Sequence, residues 1–510
     1  MPKTLQKAIR QMENNMSLLY KSTRGDAEML TASMAVIKGL ANDGGLFVPT
    51  EFPALSVPVS ELVGKNYKEI AYYVLKEFFT DYTEEELKSC IEKAYDSKFD
   101  TKEIAPLTEH DGQYFLELFH GPTIAFKDMA LSILPHLLTT ALKKNNINEK
   151  VVIMTATSGD TGKAALAAFA DVENTSIIVF YPKGGVSHIQ ELQMLTQKGA
   201  NTKVVGVNGN FDDCQTGVKI MFNDAVLKER LKEKGYIFSS ANSINIGRLF
   251  PQVAYYVYSY VKMVECGAIK DNEPVNFVVP TGNFGNILAA FFAYKMGIPV
   301  GKLICASNDN KVLYDFFKTG CYDRKREFIL TSSPSMDILI SSNLERLIYI
   351  ISGENAKANA EYMKALSEKG EYSISKEEYD KLNLFDGRFA TEKMVSDTIK
   401  NYFDESGYII DTHTAVAACA NLEYKKDCKD ETKSVIVSTA SPYKFVKSVL
   451  SAISTDYVSD DDFKMIDKLS ELSKGSEPNA IKQIRNAAIL HDEVCSVNDM
   501  EKTVTKWLNV

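Results

Sequence analysis

Lys127 stands in the stretch HGPTIAFKD, between Phe126 and Asp128, where a glycine–proline turn runs into the apolar segment MALSILPHLL. An amine is nucleophilic only when it has lost its proton, and apolar surroundings lower its pKa toward that state. Such a lysine can capture an aldehyde as an imine. A lysine that lays its stem on apolar surface and keeps its head in water is commoner, so the local setting leaves both readings open. Two glycine loops bear on the choice. TGNFGN (281–286) follows PVNFVVP and precedes ILAAFFAYKMG. Its glycines allow close backbone approach, and the N–H groups and dipole of a helix start suit a phosphate. The same spacing serves a plain helix entry equally well. The second loop, TSGDTGK (157–163), has Thr157 where a nucleotide P-loop has glycine and Ala164 where it has Ser or Thr. This argues against a nucleoside-triphosphate enzyme. Its hydroxyls and glycines suit a carboxylate, a phosphate or a capped structural helix. An imine lysine, a phosphate cup and a partner for a ring nitrogen are together what pyridoxal phosphate requires.

The elements that would carry these loops have a clear rhythm. VVIMTA (151–156), TSIIVFYP (175–182), TKVVGVNG (202–209), PVNFVVP (274–280), KLICAS (302–307) and SVIVSTAS (434–441) read as short buried strands alternating with helical segments. That alternation predicts parallel sheets with helices on both faces and ligands at the strand C-termini. Residues 1–105 read as mostly helical around a loop-rich piece, LANDGGLFVPTEFP (40–53). Residues 355–400 read as a charged, helical, peripheral insertion.

The chain has 510 residues, 58 basic and 67 acidic, for a net charge of −9. The acidic balance argues against a general partner in nucleic acid or an anionic membrane. No apolar run of the length of a membrane span appears, and MPKTLQKAIRQMENNM lacks the apolar core of a secretory signal. The eight cysteines contain no C-x-x-C pair. A reducing cytoplasm and no metal site are therefore expected.

Four ordered motifs carry a resemblance: ELFHGPTIAFKDMAL (117–131), TATSGDTGKAA (155–165), PTGNFGN (280–286) and STASPYKF (438–445). With YKSTRG (20–25), GLANDGGLFVPTEFP (39–53), SPSMDIL (333–339) and DTHTAV (411–416), the chain resembles the threonine synthases. These are pyridoxal-phosphate enzymes of fold type II, related to tryptophan synthase β. The resemblance implies an α/β fold with parallel sheets flanked by helices in a large and a small domain. A large cofactor-binding domain is expected at 106–148 and 207–475, a small α/β domain at 149–206 and a C-terminal segment at 476–510.

The resemblance also implies roles. Lys127 would form the internal aldimine and act as the main base. Gly282, Asn283, Phe284, Gly285 and Asn286 would bind the cofactor phosphate, and Thr439 would face the pyridine nitrogen. Ser158, Gly159, Asp160 and Thr161 would lie near the substrate carboxylate and the cofactor's phenolic oxygen. Asn245, Arg248 and Arg24 would serve the substrate phosphate. Thr439 also reads simply as a β-branched residue ending a buried strand. His120 and His413 read as structural residues. The expected reaction converts O-phospho-L-homoserine and water to L-threonine and phosphate. The alternatives are a phospholyase of the same fold that releases a keto acid, and a non-catalytic binding or regulatory relative. Oligomeric state is not legible in this chain.

Overall fold

The computed structural model describes residues 17–157 and 159–510. Its larger sheet has six strands in the order Phe385–Phe389, Val300–Ser307, Val275–Pro280, Ser434–Ser438, Gln113–Glu117 and Leu107–His110. All neighbours run parallel except the last pair, an antiparallel hairpin at the edge. The central strands Val275–Pro280 and Ser434–Ser438 are buried along their whole length, as expected of largely apolar strands in the middle of a parallel sheet. Alternation along Val275–Pro280 sends Phe277 and Val279 into one core and Val278 into another. Each face of this sheet is thus covered, the second by the alanine-rich turns of helix Thr412–Cys428.

The smaller sheet has five parallel strands in the order Val494–Ser496, Thr202–Asn208, Thr175–Pro182, Lys150–Ala156 and Tyr236–Ser239. It draws on more of the chain than residues 149–206. Strand Tyr236–Ser239 closes one edge, and the terminal segment contributes Val494–Ser496 at the other. Helix Met500–Leu508 then packs Met500 and Val504 into the same core. The 355–400 region also differs from a peripheral insertion. Within it, Phe385–Phe389 is the edge strand of the larger sheet, paired with Leu303–Ser307. FDGRF is short and half polar, so its pairing rather than its pattern makes it a strand.

In the N-terminal part, Tyr20–Ser22 pairs with Phe47–Pro49, and the segment also forms helices Ala32–Lys38, Tyr67–Phe78 and Glu84–Ala94. Asn66 and Thr83 each start their helix with a complete capping box. No helix among the described residues is long and apolar enough to cross a membrane.

Candidate active site

The carboxyl ends of both sheets open onto one cavity of about 1170 Å³, lined by Ala156, Thr157, Pro280, Thr281 and Thr439. This exceeds the usual volume of a small-molecule pocket, which leaves room for a cofactor beside a substrate.

Lys127 reaches the cavity because the chain after Gln113–Glu117 folds back on the end of Ser434–Ser438. Ala125 bridges Ala440, Phe126 N–H donates to Thr439 O at 2.8 Å, and Ser441 N–H donates to Ile124 O at 3.1 Å. The bend is tied by Asp128, whose carboxylate accepts from Thr123 N–H at 2.8 Å and from Thr123 Oγ1 at 2.6 Å. Gly121 is obligatory there, since a Cβ would lie 2.5 Å from Asp128 Cβ. Asp128 therefore shapes the turn, and the lysine's charge partner is another residue.

That partner is Asp160. Lys127 Nζ lies 3.4 Å from Asp160 Oδ2 and donates to Ser335 Oγ at 3.3 Å. Asp160 is enclosed by donors: Ser335 Oγ at 2.7 Å, Gln190 Nε2 at 2.9 Å and Lys444 Nζ at 2.9 Å. Burial works against its charge, but Lys444 and Lys127 outweigh it and hold the carboxyl well below its ordinary pKa. Burial lowers the Lys127 amine, with Asp160 opposing and Lys444 and Arg248 assisting the shift. Lys127 is thus biased toward its nucleophilic form.

The 281–286 loop is a cup of amides. Phe284 takes a left-handed conformation, φ 64°, and no side chain caps the following helix Gly285–Lys295. Among the described residues, no hydrogen bond takes up the N–H groups of Asn283, Phe284 and Gly285. The Phe284 ring packs against Phe317 and Phe385, and the residue lines the cavity. Gly282 sits against the 333–339 segment, where a Cβ would be 2.7 Å from Ser335 O. Asn286 spends its side-chain oxygen on Tyr255 and Tyr256 hydroxyls, so its side chain braces the cup.

Of the remaining residues expected at the site, Thr439, Thr161 and Arg248 line the cavity. Arg248 is buried and donates through Nη1 to Ala241 O at 2.9 Å; among the described residues it has no carboxylate partner and its Nε has no hydrogen-bond partner. Burial pushes its pKa down to about 10. A guanidinium so placed is a ready anion site. Asn245 is not available for substrate. Its Oδ1 caps the next helix through Gly247 N–H, and its Nδ2 donates to Val36 O and Ser240 O. Arg24 is also committed, with Nε and Nη2 on the carboxylate of Glu345. Asp160, itself an ion paired with two lysines, is unsuited to hold a substrate carboxylate by its side chain. Gly159, φ 126°, admits the Gln190 side chain, which would meet a Cβ at 2.5 Å. Ser158 lies outside the described residues.

Three residues without an assigned role from the sequence belong to the site. Ser335 links Lys127 to Asp160, and Lys444 is Asp160's second cation. His413 accepts Ser335 N–H at Nε2, 3.2 Å, while its Nδ1 meets Asp411 at 2.8 Å. His413 thereby holds the 333–339 segment over Lys127. The motifs SPSMDIL, STASPYKF and DTHTAV contain all three, but pairing them needs the fold. His120 lies elsewhere, between Asp100 and Glu117. Burial opposes its charge, but these hydrogen bonds raise its pKa to about 9. No three His, Cys, Asp or Glu side chains gather as a metal site among the described residues.

Residues 19–95 match the family described as threonine synthase N terminus, 102–440 that described as pyridoxal-phosphate dependent enzyme, and 414–492 that described as threonine synthase, C-terminal. Threonine synthase of Saccharomyces cerevisiae is 34% identical over 511 residues, 93% of this chain and 98% of the yeast protein. The chain belongs to the threonine synthase family. Threonine synthase-like 1 of Homo sapiens is 42% identical over 435 residues, 82% of this chain. The match takes in 58% of that human protein, so the chain spans little more than half of it. The crystal structure of PLP-bound threonine synthase from Brucella melitensis superposes with a TM-score of 0.83 at 34% identity, covering 96% of this chain and 99% of that one. The architecture is that of the fold type II pyridoxal-phosphate enzymes, and the cofactor of this threonine synthase family is pyridoxal phosphate. The residues present fit that group: unpaired amides stand ready for its phosphate and a deprotonation-prone amine for its aldehyde.

Proposed function

We propose that the protein converts O-phospho-L-homoserine and water to L-threonine and phosphate. The observation that carries this reading is one cavity faced by the buried Lys127 amine, the open amide cup of 282–286 and the Arg248 guanidinium. Two separate anion sites beside one amine suit a phosphorylated substrate used with a phosphorylated cofactor.

When bound, pyridoxal phosphate supplies an aldehyde for capture by an amine and an electron sink for charge at the substrate α-carbon. Asn283, Phe284 and Gly285 would hold its phosphate through their N–H groups, with Gly282 permitting the close approach. Thr439 would offer the ring nitrogen a neutral hydroxyl, which, unlike a carboxylate, brings no negative charge to hold a proton on that nitrogen. Lys127 Nζ accepts the α-proton, and Asp160 and Ser335 fix its position. Arg248 binds the substrate phosphate, which favours its departure as charge builds on the leaving oxygen. Thr161 orients the substrate's carboxylate end.

The test is incubation of the purified holoenzyme with O-phospho-L-homoserine, with products separated by chromatography. Threonine and phosphate are expected in equal amounts, and Lys127→Ala lowers the rate by about 10³-fold. Release of a keto acid with phosphate identifies a phospholyase instead. Borohydride reduction of the holoenzyme should leave the pyridoxyl label on the peptide containing Lys127. A label on another lysine rejects the assignment, and a protein that takes up no label is a non-catalytic relative.

A further inference from the structure

We propose that Lys444 is a positioning residue of this site: a buried counter-cation that fixes Asp160 and balances its charge, so that the Lys127 amine faces a neutral ion pair and not a lone carboxylate. The proposal deepens the reading of Lys127 as the reactive amine.

The side chain of Lys444 has no exposed surface. Lysine is almost never fully buried unless paired. It lies on the Pro442–Phe445 turn, five residues after Thr439, and its Nζ donates to Asp160 Oδ1 and to Thr123 O, both at 2.9 Å. Thr123 is the residue that holds Asp128 in the bend before Lys127. One ammonium group therefore ties the Lys127 bend, the end of the larger sheet and the first turn of helix Asp160–Phe169 from the smaller one. Nothing in packing alone requires a charge at that junction.

Electrostatics gives it a purpose. A solitary carboxylate 3.4 Å from Lys127 Nζ would hold the ammonium form and oppose its loss of a proton. Asp160's other donors, Ser335 and Gln190, are neutral and leave that field intact. Lys444 cancels it from the opposite oxygen. The other charged or titratable groups around Lys127 are Arg248 and His413 on the cavity wall, Asp128 beside it and Lys163 one turn along the Asp160 helix. Asp128 is satisfied by Thr123 and His413 by Asp411, which leaves Lys444 as the cation seated on Asp160. The downward direction of the Lys127 pKa, to which Lys444 contributes, agrees with this balance.

The test uses the full chain freed of cofactor. Trace acetylation across a pH series, read by peptide mass mapping, gives the midpoint at which Lys127 becomes reactive. Lys444→Gln is expected to raise that midpoint by about one pH unit or more, and Asp160→Asn to lower it. The double variant carries no buried ion at either position, so it folds more readily than Lys444→Gln. Its midpoint should return to within about half a pH unit of the wild type. A folded Lys444→Gln protein with an unchanged midpoint overturns the proposal. So does a double variant whose midpoint equals that of Asp160→Asn. The label reports on Lys127 whether or not threonine is formed. Absence of threonine with the Lys444 effect intact therefore rejects the reaction and leaves this inference standing.

Discussion

The two glycine loops have the same local design and opposite electrostatic outcomes. Each follows a buried parallel strand, each starts a helix from a residue of positive φ, and neither helix receives a side-chain cap at that residue. In the 157–162 loop a side chain of the loop takes up two of the N–H groups. Thr157 Oγ1 accepts Gly159 N–H at 3.0 Å and Gly162 N–H at 2.9 Å, and Asp160 supplies a carboxylate to the first helical turn. That helix start already has its anion. In the 281–286 loop the corresponding donors stay open, because Phe284 offers no acceptor and Asn286 gives its oxygen to Tyr255 and Tyr256. A glycine-rich helix entry thus becomes an anion cup only where its own side chains decline to fill it.

The largest effect expected from this contrast is at Gly282. A methyl group there would meet Ser335 O at 2.7 Å and Met336 Cα at 3.3 Å, both backbone atoms that cannot swing aside. Gly282→Ala should weaken pyridoxal phosphate binding by about 100-fold, or about 2.7 kcal/mol, measured by equilibrium dialysis. Gly159→Ala, whose methyl group would first meet the Gln190 side chain and which forces a non-glycine residue to φ 126°, should chiefly lower the thermal midpoint. Equal losses of cofactor affinity in the two variants would mean that both loops hold the cofactor, and the contrast would fail.

A smaller effect is expected at Thr157. Thr157→Val keeps the shape and removes the acceptor for two N–H groups, at a cost of about 1–2 kcal/mol in stability. Urea unfolding should register the loss while cofactor affinity changes little. The reverse pattern would assign those N–H groups to a ligand.

These differences explain what the sequence made legible. The bend at Lys127, the amide cup at 282–286 and the strand end at Thr439 were readable because a motif of a few residues sets each of them. Arg248 was singled out by its type alone, and the structure places it, buried, on the cavity wall. Asn245 and Arg24 were misjudged for the same reason, since an asparagine serves a cap as readily as a ligand and an arginine serves Glu345 as readily as a phosphate. Lys444, Ser335 and His413 were invisible as a set because residues 127, 160, 335, 413 and 444 come together only after folding, where the ends of the two sheets meet. The edge strand Phe385–Phe389 was hidden by its charges, which a sheet edge tolerates.

The smallest expected effect concerns the helices that follow the loops. Helix Gly285–Lys295 is buried almost throughout and apolar, whereas helix Asp160–Phe169 carries Lys163, whose Nζ donates to Gln197 Oε1 at 2.6 Å with no carboxylate partner. Burial, with Lys444 nearby, lowers the Lys163 pKa to about 8. Below pH 8 the amine is protonated in both folded and unfolded chains, and the folded state bears the full penalty. Between about pH 8 and the unfolded value near 10.4 the unfolded chain binds more protons, so stability rises with pH through that window. Lys163 is partly exposed, and solvent reduces the gain to about 1 kcal/mol. The difference in unfolding free energy between wild type and Lys163→Met, followed from pH 7.5 to 10.5, should therefore shift in favour of the wild type. A difference that stays flat would show that water solvates this amine fully and that Lys163 adds nothing pH-dependent to the fold in this range.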